Sequence, residues 1–191
     1  MSAFTTRRNV LTIAAAAGIG TTLTGTVTAR SDQLAQELNA VRSATRQYRD
    51  IGQARADGYV VESEYVPQMG FHLINPTLIA PDADAPVDIT EPPILVYFTT
   101  GNYRPEPGGD HDPDRDDDLR LGAVEFAHTG DEGPPGTPMD LFSDEDASRN
   151  LKVTEDEGWE WVPGADITAL HVWVHRGNPA GVFNPSNPTI D

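Results

Sequence analysis

The chain of 191 residues contains no cysteine and a single lysine, Lys152. The absence of cysteine excludes disulfide bonds, thiol nucleophiles and zinc sites that depend on thiolate ligands. Familiar catalytic motifs are also absent. The sequence has no Gly-x-Ser-x-Gly elbow for an esterase-type serine, and no Gly-x-Gly-x-x-Gly or phosphate-binding loop. No single motif therefore defines a reaction.

Basic residues are few. The chain has 13 Lys and Arg against 30 Asp and Glu, which gives a formal charge of −17. Nucleic acids and anionic membrane surfaces attract basic patches, so neither is an expected partner. A surface this acidic tolerates concentrated salt, because the Debye length falls to about 3 Å at 1 M and self-repulsion is screened. The composition predicts a protein of a halophilic archaeon, and the alternative is an ordinary acidic secreted protein.

Residues 1–29 have the features of a targeting segment. Arg7-Arg8 lies in a stretch that resembles the twin-arginine export signal, and the apolar run Leu11–Leu23 follows it. Val27-Thr28-Ala29 resembles a small-x-small cleavage site. We expect export by the twin-arginine route, cleavage after Ala29, an extracytoplasmic location and no membrane association afterwards. The alternative is an uncleaved anchor, although the run is short for a span of about 20 residues.

Residues 30–191 are predicted to form one α+β domain. Apolar residues recur at spacings of three and four over Ser31–Asp57, which predicts one long N-terminal helix. Short β-type segments follow, and they predict a mostly antiparallel, curved sheet of about five or six strands packed on that helix. The predicted strands are Tyr59–Val66, Phe71–Ile74, Ile94–Thr100, Leu119–His128, Trp159–Val162 and Asp166–Arg176.

The last of these segments, DITALHVWVHR over Asp166–Arg176, supports two interpretations. In a helix, His171 and His175 would share a face and could share a metal ion. The β-branched residues and the flanking Pro and Gly favour a strand instead. Four residues of strand span roughly 13 Å, which is too far for two imidazoles to hold one ion. Any histidine ligand here would need partners from other strands.

Three polar residues each interrupt an otherwise apolar strand segment. His72 lies between Phe71 and Leu73, His171 lies within Leu170–Val172, and Glu125 lies within an apolar stretch that also places Leu121 and Ala123 on its face of the strand. A buried polar side chain costs free energy unless it is paired or coordinated. Two imidazoles and one carboxylate are a common ligand set for zinc and also suit iron or copper. The pattern predicts a metal site of His72, Glu125 and His171, and the alternative is three separate residues on a polar face.

Several remaining segments are assigned to surface roles. The acidic loop 101–118 does not fit the calcium-hand template, because Arg115 stands where glycine is required, and it is interpreted as a solvated surface. Glu62 and Glu64 share a strand face and could pair as in a glycosidase, although exposed acids on a salt-adapted surface are the commoner explanation. Met139–Asn150 is a candidate short helix. The three tryptophans are candidates for sugar stacking or for core packing.

The tail 177–191 is rich in Asn-Pro pairs, which favour turns, and Val182-Phe183 is expected to dock on the core. Some of these tail residues belong to a set of motifs spread over most of the chain after residue 30. They are ADGY (56–59), QMGFHLINP (68–76), LGAVEF (121–126), LHVWV (170–174), NPAGVF (178–183) and Asn187-Pro188. Together they resemble a family of exported bacterial and haloarchaeal proteins for which no activity is established. The resemblance implies one domain and supplies no catalytic residues.

Three functions are consistent with these observations. The first is an exported, salt-adapted protein that binds a metal ion, such as zinc, or a small ligand through His72, Glu125 and His171. The second is a metal-dependent hydrolase or oxidoreductase that uses the same pocket. The third is a structural or partner-binding surface protein without a site. Whether the protein is an enzyme is left open by the sequence.

Overall fold

The computed structural model describes residues 24–105, 113–130, 133, 136–143 and 158–190. Its centre is one open, six-stranded sheet with the order β1-β2-β3-β4-β6-β5, in which every neighbouring pair is antiparallel. The strands are β1 (Val60–Val61), β2 (Phe71–Ile74), β3 (Ile94–Thr99), β4 (Leu119–His128), β5 (Trp159–Val162) and β6 (Ile167–Val172). The predicted antiparallel α+β class and the strand number are confirmed.

The N-terminal helical region is not the single long helix over Ser31–Asp57 that the apolar spacing predicts. Helix α1 (Thr24–Ala44) gives way to a 3-10 turn (Thr45–Arg49), and helix α2 (Ile51–Ala56) follows. The Thr45 hydroxyl donates to Val41 O at 2.7 Å, a local bond that competes with helical pairing. Asp50 is extended, with φ −91° and ψ 110°, and its carboxylate caps α2 by accepting from Gly52 N. The predicted signal segment falls mostly outside the described residues.

One face of the sheet packs against the helices. Leu34 and Val41 of α1 and Ile51 of α2 join a large apolar cluster with the sheet. Its main sheet members are Phe71, Leu73, Leu95, Tyr97, Leu121, Val124, Phe126, Leu170 and Val172. Phe183 of the tail is fully buried in the same cluster, as the sequence predicted. This face supplies most of the apolar burial that stabilises the fold.

The other face carries smaller apolar clusters. Ile94, Ala127, Ile167 and Ala169 form one of them, and Val96, Phe98, Ala123, Trp173 and Ile190 form the second. Because side chains alternate along a strand, His72, Glu125 and His171 also lie on this face. The sheet is therefore covered on both sides, and we call the two sides the helix face and the site face.

A β-bulge at Gly122 changes which residues of β4 lie on each face of the sheet. Val96 pairs with Ala123 but Tyr97 pairs with Leu121, so Gly122 is the extra residue. The prediction that Leu121 shares a face with Glu125 is therefore wrong, and Leu121 packs on the helix face. A Cβ at position 122 would lie 3.1 Å from the Phe98 ring and 3.2 Å from the Trp173 ring, so any larger residue would force these rings to shift by a few tenths of an ångström.

Three further predictions are adjusted by the structure. The strand expected over Tyr59–Val66 is limited to β1, and the predicted turn at Pro67–Gly70 follows, where Gly70 adopts a φ of 114°. Residues 139–143 are not helical, and the rest of the helix predicted over Met139–Asn150 lies outside the described residues. In the acidic loop, Pro113–Asp118 forms a short 3-10 helix, and residues 106–112 are outside the described part. Within the described ranges, no helix is long and apolar enough to cross a membrane.

Candidate metal centre

Three strands of the sheet, β2, β4 and β6, bring the predicted ligands together. Glu125 on β4 is directly opposite His171 on β6 in the antiparallel register. His72 on β2 is opposite Val96 on β3, so its side chain must reach past β3 to approach Glu125. Cross-strand neighbours on one face have Cβ atoms about 4.5–5.5 Å apart, which puts the Glu125 and His171 side chains in contact.

The distances show that the three side chains meet. His171 Nε2 lies 2.7 Å from Glu125 Oε1, and His72 Nε2 lies 2.9 Å from the same oxygen. The candidate ligand atoms all lie within 4.8 Å of one another. The side chains of Glu125 and His171 are 4% and 3% exposed, and that of His72 is 13% exposed. The structure thus brings the predicted residues into one buried cluster, and their role as metal ligands stays a prediction.

Several buried atoms of the cluster lack hydrogen bonds. Glu125 Oε1 and both ring nitrogens of His171 have no hydrogen-bond partner among the described residues, although His171 Nε2 lies only 2.7 Å from Glu125 Oε1. Unsatisfied buried polar atoms each cost about 1–3 kcal/mol, so native proteins contain few of them. Buried nitrogen and oxygen atoms that converge without hydrogen-bond partners are consistent with an arrangement that coordinates a cation.

His72 has a hydrogen-bond partner on its remote side, and His171 has a carboxylate nearby. Ser63 Oγ accepts from the His72 backbone N–H at 2.9 Å and lies 2.8 Å from His72 Nδ1. If His72 Nδ1–H donates to Ser63, the Nε2 lone pair faces the cluster. Metal-binding histidines characteristically have an outer partner like Ser63, which orients the ring and selects its tautomer. His171 Nδ1 lies 3.8 Å from a carboxylate oxygen of Glu160 on β5, which is beyond hydrogen-bond distance, so Glu160 acts on His171 through its charge.

The charges of the cluster are strongly coupled. Burial alone would raise the pKa of Glu125, but positive charge on His171 and His72 outweighs it and holds the pKa well below its usual range. Burial alone would lower the pKa of His171, but the charge of Glu125 raises it. Burial raises the pKa of Glu160, although positive charge on His171 opposes the shift in part. In the absence of a metal, these opposite shifts favour an ion pair between the His171 imidazolium and the Glu125 carboxylate.

A cavity of about 620 Å³ lies beside the cluster and includes His72, Glu125 and His171 in its lining. Ile74, Ile79, Ile94 and Ile167 line it on the site face, and the turn between β5 and β6 closes one side. Glu160 and Trp161 of β5 also face the cavity. A small molecule bound there would reach the cluster.

The structure separates His175 from this cluster. His175 Nε2 lies 2.8 Å from Thr45 Oγ1 on the helix face, whereas His171 lies on the site face. The strand ends at Val172 and the chain turns, so the two histidines do not share a metal, as the strand interpretation predicted. Burial together with the positive charges of Arg49 and Arg42 lowers the pKa of His175 to about 4. This histidine is neutral at neutral pH.

The other residues noted in the sequence are dispersed. Trp159 packs on the helix face, Trp173 stacks on the His171 ring with centroids 6.1 Å apart, and Trp161 lines the cavity. They do not form one stacking platform. Glu62 and Glu64 are exposed beyond the end of β1, and of the two only Glu62 lines the cavity.

Two site residues were missed at the sequence level. Ser63 gives no signal, because it lies in an ordinary polar stretch beside Glu62 and Glu64. Glu160 has a weak signal, since it is a carboxylate between Trp159 and Trp161 in a predicted strand. The same argument that selected Glu125 applies to Glu160.

No family model, curated protein or solved structure matches the chain. The resemblance to a family of exported proteins therefore stays a prediction. The fold and the site define only a class, an antiparallel α+β protein with a buried His-Glu-His cluster beside a cavity.

Proposed function

We propose that the protein binds a divalent transition metal, zinc in the first instance, through His72 Nε2, Glu125 Oε1 and His171 Nε2. The observation that carries this proposal is the convergence of three ligand atoms, from three different strands, within 4.8 Å of one another. Such a donor set is a frequent catalytic zinc set, with three protein ligands and one open position. We propose further that the protein is exported and salt-adapted, as its first 29 residues and its charge indicate.

The spacing of the donor atoms is compatible with a metal after a small movement. Tetrahedral zinc with bonds of about 2.0–2.1 Å separates its ligand atoms by roughly 3.3 Å. The two contacts to Glu125 Oε1 are 2.7 and 2.9 Å, so each must open by roughly 0.4–0.6 Å to reach that separation. The ligand atoms of the two histidines lie no more than 4.8 Å apart and must reach the same separation. Rotation of partly exposed His72 provides this opening more easily than backbone movement in the buried strands β4 and β6.

The competing explanation is an ion-pair network without a metal. A protonated His171 would neutralise Glu125, and the cluster would serve only to satisfy a buried charge. Glu125 Oε1 and the His171 ring nitrogens have no hydrogen-bond partner among the described residues, which favours the metal site.

The test is a zinc titration of the full chain, purified in high salt and stripped with a chelator. We expect one equivalent of zinc per chain, a higher melting temperature with zinc, and loss of both effects in His72→Gln and His171→Gln. The matched control is His175→Gln, which changes a histidine that contacts Thr45 instead of the cluster. A chain that stays metal-free, with the same melting temperature in zinc and in chelator, would show that the cluster is only an ion-pair network.

A second candidate function is metal-dependent hydrolysis or redox chemistry in the same pocket. The observation that favours it is the cavity beside the cluster, which gives a substrate access to an open coordination position. A metal at such a position activates water or polarises a carbonyl group. Glu160, whose pKa is raised by burial, lines the cavity and would accept or return a proton there. Zinc-dependent turnover of a small ester that is lost in Glu160→Gln, with zinc still bound, distinguishes catalysis from binding alone.

A further inference from the structure

The cavity beside the cluster has walls that are mostly apolar. Beyond the three candidate ligands, its apolar lining includes Val66 and Met69 before β2, Ile74 at the end of β2, Ile79 after it, and Trp161 on β5. Each of these five residues is half-buried, so their apolar surfaces face the cavity instead of being sealed in the core. Apolar surface of this kind gains free energy when it is removed from water.

The charges around the cavity disfavour anions. Among the residues that line it in the described structure there is no lysine or arginine, whereas Glu62 and Glu160 add carboxylates. Ser63 also lines the cavity, but its hydroxyl is engaged with His72. A phosphate or a polycarboxylate would meet carboxylates with no compensating cation except the metal. The wall therefore favours a ligand whose only strong polar contact is with the metal.

The volume is suited to a small molecule. Ligand sites typically occupy about 300–1,000 Å³ and combine apolar walls with a few placed polar groups. The cavity of about 620 Å³ is far larger than a metal ion with one or two waters requires. The cluster supplies the placed polar groups at one side, and the half-buried apolar residues supply the remainder of the wall.

We propose that this cavity binds an apolar small molecule, aliphatic or aromatic, that carries one uncharged nitrogen or oxygen donor. This inference rests on the proposed function, because the donor is recognised by the metal held at His72, Glu125 and His171. The apolar part of the ligand packs against the half-buried apolar residues of the wall, Ile79 and Trp161 among them. The affinity of a ligand therefore depends on the length of its alkyl chain and on the absence of negative charge.

The experiment uses cobalt-loaded full-length protein, since the visible spectrum of Co²⁺ changes when a ligand coordinates it directly. The probes are 1-methylimidazole, 1-butylimidazole and 1-hexylimidazole, which share one nitrogen donor and differ in apolar length. Each methylene that enters the cavity is expected to tighten binding by about threefold to fourfold. Inorganic phosphate, which binds metals but carries charge, is expected to bind more weakly than 1-hexylimidazole.

Two variants locate the effect. Ala165 is exposed, lies in the turn between β5 and β6, and lines the cavity, so Ala165→Trp adds bulk to the wall and leaves the three cluster residues unchanged. Ala56 is also exposed, at the end of α2 and outside the lining, so Ala56→Trp is the matched control. We expect Ala165→Trp to bind cobalt normally and to lose the gain from longer alkyl chains, while Ala56→Trp behaves like the unaltered protein.

The outcomes separate this inference from the proposed function. If the cobalt-loaded protein binds all three imidazoles with equal affinity, or binds phosphate more tightly than 1-hexylimidazole, the proposal of an apolar ligand is wrong and the metal site stands. An unchanged chain-length gain in Ala165→Trp overturns the assignment to this cavity. A chain that binds no cobalt overturns the metal site and with it this inference.

Discussion

The helix face and the site face of the sheet are built by the same strands but bury different chemistry. On the helix face, β4 contributes Val124 and Phe126 to a large apolar cluster under α1 and α2. On the site face, the intervening residue Glu125 meets two histidines beside a cavity. Alternation along one strand thus separates the residues that stabilise the fold from those that form the site, by a single step in sequence.

The two faces also shift the pKa of a histidine in opposite directions. On the site face, the charge of Glu125 raises the pKa of buried His171. On the helix face, burial and the positive charges of Arg49 and Arg42 lower the pKa of His175 to about 4. The same side chain is favoured as a cation on one side and as a neutral group on the other, because its charged neighbours have opposite signs.

The largest expected effect tests whether the helix face carries the stability. Phe126 is fully buried and its ring lies 5.7 Å from that of Phe142. Phe126→Ala is expected to lower the free energy of unfolding by about 3–5 kcal/mol, because it leaves a cavity in the core. Chemical denaturation measures this loss. A fall of more than tenfold in the zinc affinity of the folded variant would show that the helix face contributes to the site as well as to stability.

The next effect tests the outer partners of the site. Ser63→Ala removes the oxygen that contacts His72 Nδ1 and is expected to weaken zinc binding by about tenfold or more, since outer partners typically contribute 10–100-fold. Competition with a chelator of known affinity measures the change. The control is Ser143→Ala, which removes a hydroxyl bonded to Glu37 on the helix side. Equal zinc affinity in both variants would contradict an orienting role for Ser63.

Smaller effects are expected from pH, beginning with the site face of the metal-free protein. His171 has a folded pKa above its ordinary value of 6.5, so its stabilising contribution is complete below pH 6.5. This contribution is lost as pH rises through the folded pKa. Glu125 has a folded pKa below 4.5, so its contribution is lost only in strong acid. Unfolding measured from neutral to alkaline pH in chelator should therefore show a loss of stability that His171→Gln lacks.

The smallest effect is the opposite pH dependence on the helix face. The folded pKa of His175, about 4, lies below its ordinary value of 6.5, so the unfolded chain takes up this proton first. Stability is complete above pH 6.5 and falls as the pH is lowered from 6.5 to about 4. Partial exposure screens the effect to roughly 1 kcal/mol. His175→Gln should reduce this acid-dependent loss in denaturation curves, and an unchanged curve would contradict a neutral, half-buried His175.

Much of the secondary structure followed from local pattern. Phe71–Ile74, Leu119–His128 and Trp159–Val162 are strands with the predicted bounds. The helical region was less predictable, because the apolar spacing continues through Thr45 and Asp50 while their side-chain hydrogen bonds interrupt the helix. The bulge at Gly122 was also hidden, since it depends on the approach of Phe98 and Trp173 from elsewhere in the chain.

The candidate site was predictable only as a set of separate residues. His72, Glu125 and His171 each stood out as a polar residue in an apolar strand, which reflects the cost of burying an unpaired polar group. Their spacing along the chain did not predict that the three side chains would meet. Glu160 and Ser63 were missed because their importance comes from their distances to the histidines and not from their local sequence.

The sequence by itself determined the acidic surface, the absence of thiol chemistry, the strand content and the identity of the polar residues that needed partners. Only the tertiary structure decided which residues became their partners. The order β2-β3-β4-β6 and the register that pairs Glu125 with His171 are set by backbone hydrogen bonds between strands distant in sequence. A shift of one residue in that register would have turned the carboxylate and the imidazole to opposite faces.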